Sequence, residues 1–229
     1  QARDFVYDAN GNKLIGANGR YLKTSKSDIV LGNVQPDFNL GFNNRFTYKN
    51  WALSFLIDWQ QGGSIFSLDQ YYGLYAGLYE ETDYINDLGN PVRNLLEDGG
   101  GYINDGVYAP GTVIDGVDVS GQKNTTRVAG NNDTSFGVGA LPHKAFVYDA
   151  TYVKLREIVI TYSLPSSMLE KSFFNGVSFS LVGSNLWILY KDLPHSDPEA
   201  SQSSGNIQGW QSGALPAVRN VGLTVNLQF

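Results

Sequence analysis

The sequence predicts an all-β fold of antiparallel strands that cross a membrane as part of a β-barrel and carry long outer loops. Five segments alternate apolar and polar residues with a period of two, which sends successive side chains to opposite faces of a strand. The links between these segments differ greatly in length, as they do between the strands of outer-membrane barrels. Strand and turn formers are abundant, with 14 Tyr, 12 Phe and 26 Gly in 229 residues.

Charge and composition exclude several classes of function. The 16 basic and 22 acidic residues give a formal net charge of −6 and form no basic run, so no nucleic acid is expected as a partner. The absence of cysteine excludes disulfides and thiol-based metal or redox centres. Because no stretch approaches the roughly 18 consecutive apolar residues of a transmembrane helix, a soluble protein and a barrel remain as interpretations.

The first two strands are predicted at about 37–48 and 51–62, and the two-residue link Lys49-Asn50 joins them as a tight hairpin. In both strands aromatic and aliphatic residues occupy one phase of the alternation. Polar residues such as Arg45 and Asp58 occupy the other phase. Each strand therefore has one apolar face and one polar face.

Three further strands are predicted at about 151–162, 176–189 and 217–229. The last is the most regular, and Phe229 continues its apolar phase. The strand at 151–162 changes phase between Leu155 and Ile158. One extra residue in the strand produces such a change, so we predict a β-bulge near Arg156-Glu157.

The apolar face of these strands is the predicted lipid-facing surface of the barrel. Alternation with a polar interior is the pattern of membrane-spanning strands. The candidate lipid-facing residues are Phe38, Leu40, Phe42, Leu53, Phe55, Ile57, Val221, Leu223, Val225 and Leu227.

The lengths of the links predict an orientation in the membrane. The links at 49–50 and 163–175 are short to medium, whereas those at 63–149 and 190–216 are long and rich in Gly, Asn and Asp. If the end of the sequence lies in the periplasm, antiparallel strands place both long links outside and both shorter links in the periplasm. Five strands cannot close a barrel, since about eight is the smallest number known. The other strands belong either to a longer chain or to further copies of this one, and we expect a longer chain.

Five short motifs together resemble the C-terminal part of SusC/RagA proteins, a family of TonB-linked outer-membrane transporters. The motifs, in chain order, are Gly32-Asn33-Val34-Gln35-Pro36-Asp37-Phe38; Tyr152-Val153-Lys154-Leu155-Arg156 with Tyr162-Ser163-Leu164-Pro165; Gly183-Ser184-Asn185-Leu186; Asp197-Pro198-Glu199; and Leu215-Pro216 with Arg219. Each motif is weak alone. Their common order over about 200 residues is more specific, and the resemblance covers the chain from Asp28 onward.

The resemblance implies a barrel of 22-stranded type in the outer membrane of a Gram-negative bacterium. It also implies an N-terminal plug and a TonB-interacting segment, and neither is found in residues 1–229, so contact with TonB would use a missing N-terminal region. The implied partner is a SusD-like surface lipoprotein, and the implied activity is import of a glycan or a peptide rather than enzymatic catalysis. Phe229 resembles the terminal aromatic residue that serves as the family's assembly signal.

The candidate contact residues for a ligand or partner are aromatic. Tyr71, Tyr72 and Tyr75 could stack on sugar rings or contact a partner, although their spacing also suits a short helix that packs through them. Trp210 lies in a polar, Gly-rich segment and is the best single candidate for an exposed contact.

No enzyme motif or metal site stands out. His143 and His195 lack partners at ligand spacing, and Asp8 to Asn12 departs from a calcium loop at Lys13, so a turn is expected there. No cofactor is expected. The main alternative is a soluble surface β-sandwich that binds carbohydrate, since a sandwich shows the same alternation. A surface glycan hydrolase is a third possibility, without a catalytic motif to support it.

Overall fold

The computed structural model describes residues 1–202 and 208–229, apart from the side chain of Gln202. Its strands in chain order are β1 (Leu14–Ile15), β2 (Phe38–Tyr48), β3 (Trp51–Gln61), β4 (Ser64–Ser67), β5 (Tyr102–Ile103), β6 (Val107–Tyr108), β7 (Val113–Ile114), β8 (Val117–Asp118), β9 (Arg127–Val128), β10 (Val147–Asp149), β11 (Tyr152–Ser163), β12 (Gly176–Lys191), β13 (Ser201–Gln202), β14 (Trp210–Gln211) and β15 (Asn220–Gln228). Its α-helices are α1 (Leu68–Ala76), α2 (Gly137–Ala140) and α3 (Ser166–Leu169). Short 3-10 turns occur at Glu80–Thr82, Leu96–Asp98 and His143–Phe146. Among the described residues, no helix is both long and apolar enough to span a membrane.

The chain divides into two compact units. The first unit comprises Gln1–Gly32 and Phe66–Val147, and the second unit comprises Asn33–Ile65 and Tyr148–Phe229. The long strands all lie in the second unit. The predicted all-β fold is confirmed.

The second unit is built on a five-stranded antiparallel sheet with the order β15-β12-β11-β3-β2. The hairpin between β2 and β3 turns at Lys49-Asn50, where Lys49 has a φ of 53°. A left-handed residue at this position is typical of tight two-residue hairpins. The sheet contains the five segments in which the sequence alternates.

The cross-strand register places apolar residues in continuous rows on one face of this sheet. One row runs across all five strands through Phe46, Leu53, Ile160, Leu181 and Leu223. Residues directly opposite each other in a sheet point to the same side, so the row is a single apolar band. Each of its side chains is exposed; Leu223 is 70% exposed.

The other face of the sheet carries small and polar side chains. The neighbouring row runs through Thr47, Ala52, Thr161, Ser180 and Thr224. Within it, the hydroxyl oxygens of Thr161 and Ser180 are 2.8 Å apart and hydrogen-bonded. The sheet therefore has an apolar face and a polar face, as alternation with a period of two requires.

A β-bulge interrupts β11 at the predicted position. Against β3, Leu155 pairs with Ile57 and Glu157 pairs with Leu56, so Arg156 is an extra residue. Against β12, Leu155 pairs with Trp187 and Glu157 pairs with Ser184, so the register shifts at the same place. The bulge explains the change of phase in the sequence, because one unpaired residue shifts all later side chains by one position.

The long link predicted at 63–149 contains most of the first unit. Most of this segment folds with Gln1–Gly32 around buried apolar residues, including Phe5, Ile15, Val92 and Phe146. Its strands are two residues long, and β1 pairs with β6 in parallel. So short a strand shows no readable alternation, which is why the sequence pattern missed this unit.

Helix α1 is fixed tightly inside the first unit. Ser67 caps its N-terminus by accepting the Gln70 amide proton at 3.1 Å, and Gly77 ends it in the left-handed region with a φ of 72°. Gly137 of α2 has a φ of 58°, and a Cβ at this position would lie 2.4 Å from the backbone nitrogen of Tyr75. Only glycine allows the two helices to approach this closely.

Candidate functional site

The polar face of the second unit carries a cluster of charged side chains beside the bulge in β11. Arg156, the bulged residue, donates from Nε and Nη2 to the Asp58 carboxylate of β3 at 2.9 and 2.6 Å. Tyr152 donates from its hydroxyl to the same carboxylate at 3.3 Å. The bulge thus brings the guanidinium of β11 onto a carboxylate of the neighbouring strand.

The turn Asp197-Pro198-Glu199 supplies the other acidic groups of the cluster. Lys154 Nζ contacts the Asp197 carboxylate and donates to Glu199 Oε2 at 2.6 Å. Arg156 donates from Nη2 to Glu199 Oε1. The same oxygen lies 3.2 Å from the Tyr152 hydroxyl and is the alternative acceptor of its single proton. We call the six residues Asp58, Tyr152, Lys154, Arg156, Asp197 and Glu199 the ionic cluster.

Burial strengthens the central pair of the ionic cluster. The side chains of Lys154 and Asp197 are 5% and 6% exposed, whereas those of Asp58, Arg156 and Glu199 are partly accessible. Burial by itself would raise the pKa of the Glu199 carboxyl, but hydrogen bonds from Arg156 and Lys154 outweigh it and lower the pKa to about 2. Glu199 is therefore ionised at neutral pH.

Two cavities border the acidic turn. The first has a volume of about 260 Å³, and its lining includes Arg156, Asn185, Asp197 and Arg219. The second has a volume of about 410 Å³, and its lining is mainly uncharged. The second lining includes Val34, Gln35, Pro36, Gln60, Tyr152, Glu199 and Ser201.

All five motifs that carry the family resemblance contribute to this one site. Two supply the ionic cluster, and the others line the cavities through Gln35, Asn185 and Arg219. Asn185 has a φ of 53°, donates from Nδ2 to the Val218 carbonyl at 3.3 Å and accepts from Arg156 at 3.5 Å. Segments far apart in the sequence thus meet at the bulge of β11.

The sequence prediction did not include the ionic cluster. The bonded pairs between β11 and the acidic turn are 43, 45 or 47 residues apart in sequence, and Arg156 and Asp58 are 98 residues apart. One signal was available, because Asp58, Lys154 and Arg156 are charged residues within predicted strands. Charged groups that become buried need partners, which the acidic turn provides for Lys154 and Arg156.

The three candidate tyrosines all lie on helix α1 in the first unit. The ring of Tyr71 stacks on the ring of His143, with centroids 5.8 Å apart. It also meets the ring of Phe146 edge-on, with centroids 5.1 Å apart. Tyr72 and Tyr75 are exposed. Tyr71 therefore has the packing role, while the other two present their rings on the surface of the unit.

Trp210 lies in the two-residue strand β14, where it pairs with Gln202 of β13. Its side chain is 42% exposed. Phe229 packs against Phe173 and Phe174 of the link between β11 and β12, with ring centroids 5.9 and 5.2 Å apart, and it stays largely exposed.

No group of three or more His, Asp or Glu side chains that could hold a metal ion is found in the part of the chain that the structure describes. Asp8 instead forms the expected turn and accepts the amide protons of Asn10 and Asn12, both at 2.8 Å. Burial lowers the pKa of His143, and the charges of Arg3 and Lys23 lower it further. A neutral, ring-stacked imidazole of this kind is typical of packing.

The sheet and its site define a class of protein. An antiparallel sheet with one exposed apolar face, and with a polar face to which the acidic turn is bonded, is characteristic of a segment of a membrane β-barrel wall. Structure comparison supports this class: the chain superposes over its whole length on 22% of a chain in the open-open state of the RagAB peptide importer, with a TM-score of 0.57 and 15% identity. A second structure of the RagAB peptide transporter gives a TM-score of 0.54 and 17% identity over 99% of the chain.

Sequence comparison gives the particular relationship, and the chain is related to TonB-dependent receptors. TonB-dependent receptor P3 of Formosa agariphila is 28% identical over 97% of the chain, and receptor P26 of the same organism is 26% identical over 96%. The chain spans only about a fifth of the length of each receptor, 19% and 20%. No family model matches the chain. The resemblance inferred from the motifs is confirmed at the level of TonB-dependent receptors and a RagA-like fold.

Proposed function

We propose that the chain forms part of the barrel wall and the outer loops of a TonB-dependent importer in a Gram-negative outer membrane. The observation that carries this proposal is the apolar face of the five-stranded sheet, which is exposed row after row. Soluble monomers rarely expose apolar patches larger than a few hundred Å². A lipid bilayer is the solvent in which this face is stable.

The open edges of the sheet support membership of a larger barrel. In the described residues, β2 and β15 each pair with one strand only. An unpaired strand edge in lipid leaves backbone groups without hydrogen bonds, which costs several kcal/mol for each group. Further strands on both sides remove this cost. The relation to receptors about five times longer agrees with this proposal.

The soluble β-sandwich is the weaker candidate. In a sandwich the apolar face packs on a second sheet and becomes buried. Phe42 and Leu223, from opposite ends of the described sheet, are instead 50% and 70% exposed. The proposed function contains no catalytic step, and the relatives found are receptors by name.

The proposal extends to the ligand, the partners, the contact residues and the orientation of the chain in the membrane. We propose a glycan or peptide as ligand, a SusD-like surface lipoprotein as partner, and contact with TonB through a region outside residues 1–229. Trp210, Tyr72 and Tyr75 are the proposed contact residues, whereas the ring of Tyr71 packs on His143 and Phe146. Outer loops face the medium and Phe229 faces the periplasm, where it acts as the assembly signal.

The first test is the intact denatured mass and location of the polypeptide that carries this segment in its cell. The proposal predicts a species several times heavier than 25.1 kDa that sediments with the outer membrane and requires detergent for solubility. A 25.1 kDa species that is soluble without detergent contradicts it. Deletion of the gene followed by growth on glycans or on peptides then identifies the ligand class, and capture of the receptor identifies the lipoprotein.

A further inference from the structure

The outer loop at 192–219 connects β12 and β15. In its described part, residues near both of its ends are bonded to the sheet. Near its start, Asp197 and Glu199 bind Lys154 and Arg156 of β11. Near its end, the Val218 carbonyl accepts a proton from Asn185 of β12 at 3.3 Å. These contacts attach the loop to the polar face beside the bulge.

We propose that the ionic cluster is a latch that makes this loop a fixed part of the wall. The loop does not act as a gate that opens during import. The proposal rests on the proposed function in one respect only, which is that the polar face is the interior of a barrel. The attachment of the loop to the sheet is independent of what the barrel transports.

Burial is the reason why the latch stays closed. Surface ion pairs open readily, because water and salt compensate the separated charges. Opening here leaves the buried ammonium of Lys154 without its two carboxylates, and it also releases Arg156 from Glu199. The loss of one partner from a buried pair disfavours the open form by about 100-fold or more. A permanently closed loop is the expected result.

The latch also fixes the surroundings of the larger cavity. Pro198, Glu199 and Ser201 form one side of that cavity, and Val34 to Pro36 belong to its lining. Strand β13 begins two residues after Glu199 and pairs with β14, which carries Trp210. A surface held in one conformation before binding avoids the entropy cost of ordering it, so the latch would position Trp210 for contact.

The test measures the mobility of the loop by electron paramagnetic resonance. A spin label is attached at Ala214→Cys in the purified full-length receptor whose other cysteines have been replaced; residues 1–229 contain none. We expect a single immobile component that 1 M salt does not change. Lys154→Met should convert part of the signal to a mobile component, although β14 still pairs with β4. Glu199→Gln should convert a smaller part.

Two further variants keep the test decisive. Arg45→Gln removes one charge from an exposed position on the polar side of β2, away from the cluster, and should leave the spectrum unchanged. If Lys154→Met does not fold, the double variant Lys154→Met with Asp197→Leu replaces the buried pair by apolar groups, which is often tolerated, and still frees Glu199 from one cation. Identical spectra in the wild type and in all cluster variants, or a mobile loop in the wild type, overturn the latch.

The same samples separate the latch from the proposed function. Heat-dependent mobility on a denaturing gel reports whether the receptor is a folded barrel. A wild-type protein that is not a membrane barrel contradicts the proposed function, whatever the loop does. A folded barrel whose loop is mobile contradicts the latch alone.

Discussion

The two units of this chain use apolar side chains in opposite ways. In the first unit Phe146 is fully buried, as are Ile15 and Val92. In the second unit many apolar residues of one sheet face are exposed, such as Phe42 and Leu223, and others, such as Phe55 and Ile57, are half-buried. The buried groups of this unit include the charged residues Lys154 and Asp197. The first unit has a buried apolar core. The proposed function explains the exposed apolar face of the second unit as a surface that contacts lipid.

Matched phenylalanine variants should show the largest difference between the units. Phe146→Ala removes a fully buried ring from the first unit and should cost about 3–5 kcal/mol of local stability. Phe42→Ala removes a half-exposed ring from the second unit and should cost on the order of 1 kcal/mol. Hydrogen exchange of each unit in the full-length receptor measures both losses of stability. Equal losses in the two units would contradict the proposed difference between them.

A charge on the lipid face should have the next largest effect. Leu223→Arg places a guanidinium in the apolar row and should destabilise the assembled barrel by about 2–4 kcal/mol if the row lies near the middle of the bilayer. Asn226→Arg, on the opposite phase of the same strand, should be milder. The heat-modifiable fraction in outer membranes measures assembly. Equal assembly of the two variants would falsify the assignment of the faces.

The sequence predicted the second unit better than the first for a physical reason. Long strands between two different environments must alternate, so β2, β3 and β15 and the bulge at Arg156 could be located from the pattern alone. The first unit has two-residue strands and a core assembled from separate segments, and neither leaves a periodic signal. The ionic cluster was missed because its partners are distant in sequence and only the register of the sheet brings them together.

The pH dependence of the latch should distinguish it from an exposed ion pair. The groups that face Glu199 are Lys154, Arg156, Tyr152, Asp58 and Asp197, with Lys191 nearby on β12. A carboxyl whose pKa falls to about 2 on folding stabilises the protein above its ordinary pKa, and this contribution is lost as the pH falls toward 2. The spin label at Ala214→Cys should therefore remain immobile from pH 8 to about pH 5.

Acidification below about pH 4 should then begin to release the loop. Glu199→Gln should show a partly mobile loop at every pH. The glutamine amide is uncharged and therefore cannot form the ion pairs of Glu199 with Arg156 and Lys154. Release of the wild-type loop between pH 7 and pH 5 would contradict the account of the cluster.

Trp210→Ala should have the smallest effect on folding. The side chain is partly exposed in a two-residue strand, so assembly of the barrel should change by less than about 1 kcal/mol. If Trp210 contacts the ligand or the lipoprotein, binding should weaken at least about tenfold, as for an aromatic hot spot. Unchanged affinity for both, measured with the purified receptor, removes Trp210 as a contact residue.

The most direct test of the central claim is to find which face of the sheet contacts lipid. A fluorophore is attached at Leu223→Cys or at Thr224→Cys, neighbouring positions on opposite faces of β15, in the full-length receptor reconstituted into bilayers. Spin-labelled lipid should quench the fluorophore at position 223 strongly and the one at position 224 weakly. Equal quenching at the two positions, or stronger quenching at position 224, would contradict a barrel wall with this apolar face turned to the membrane.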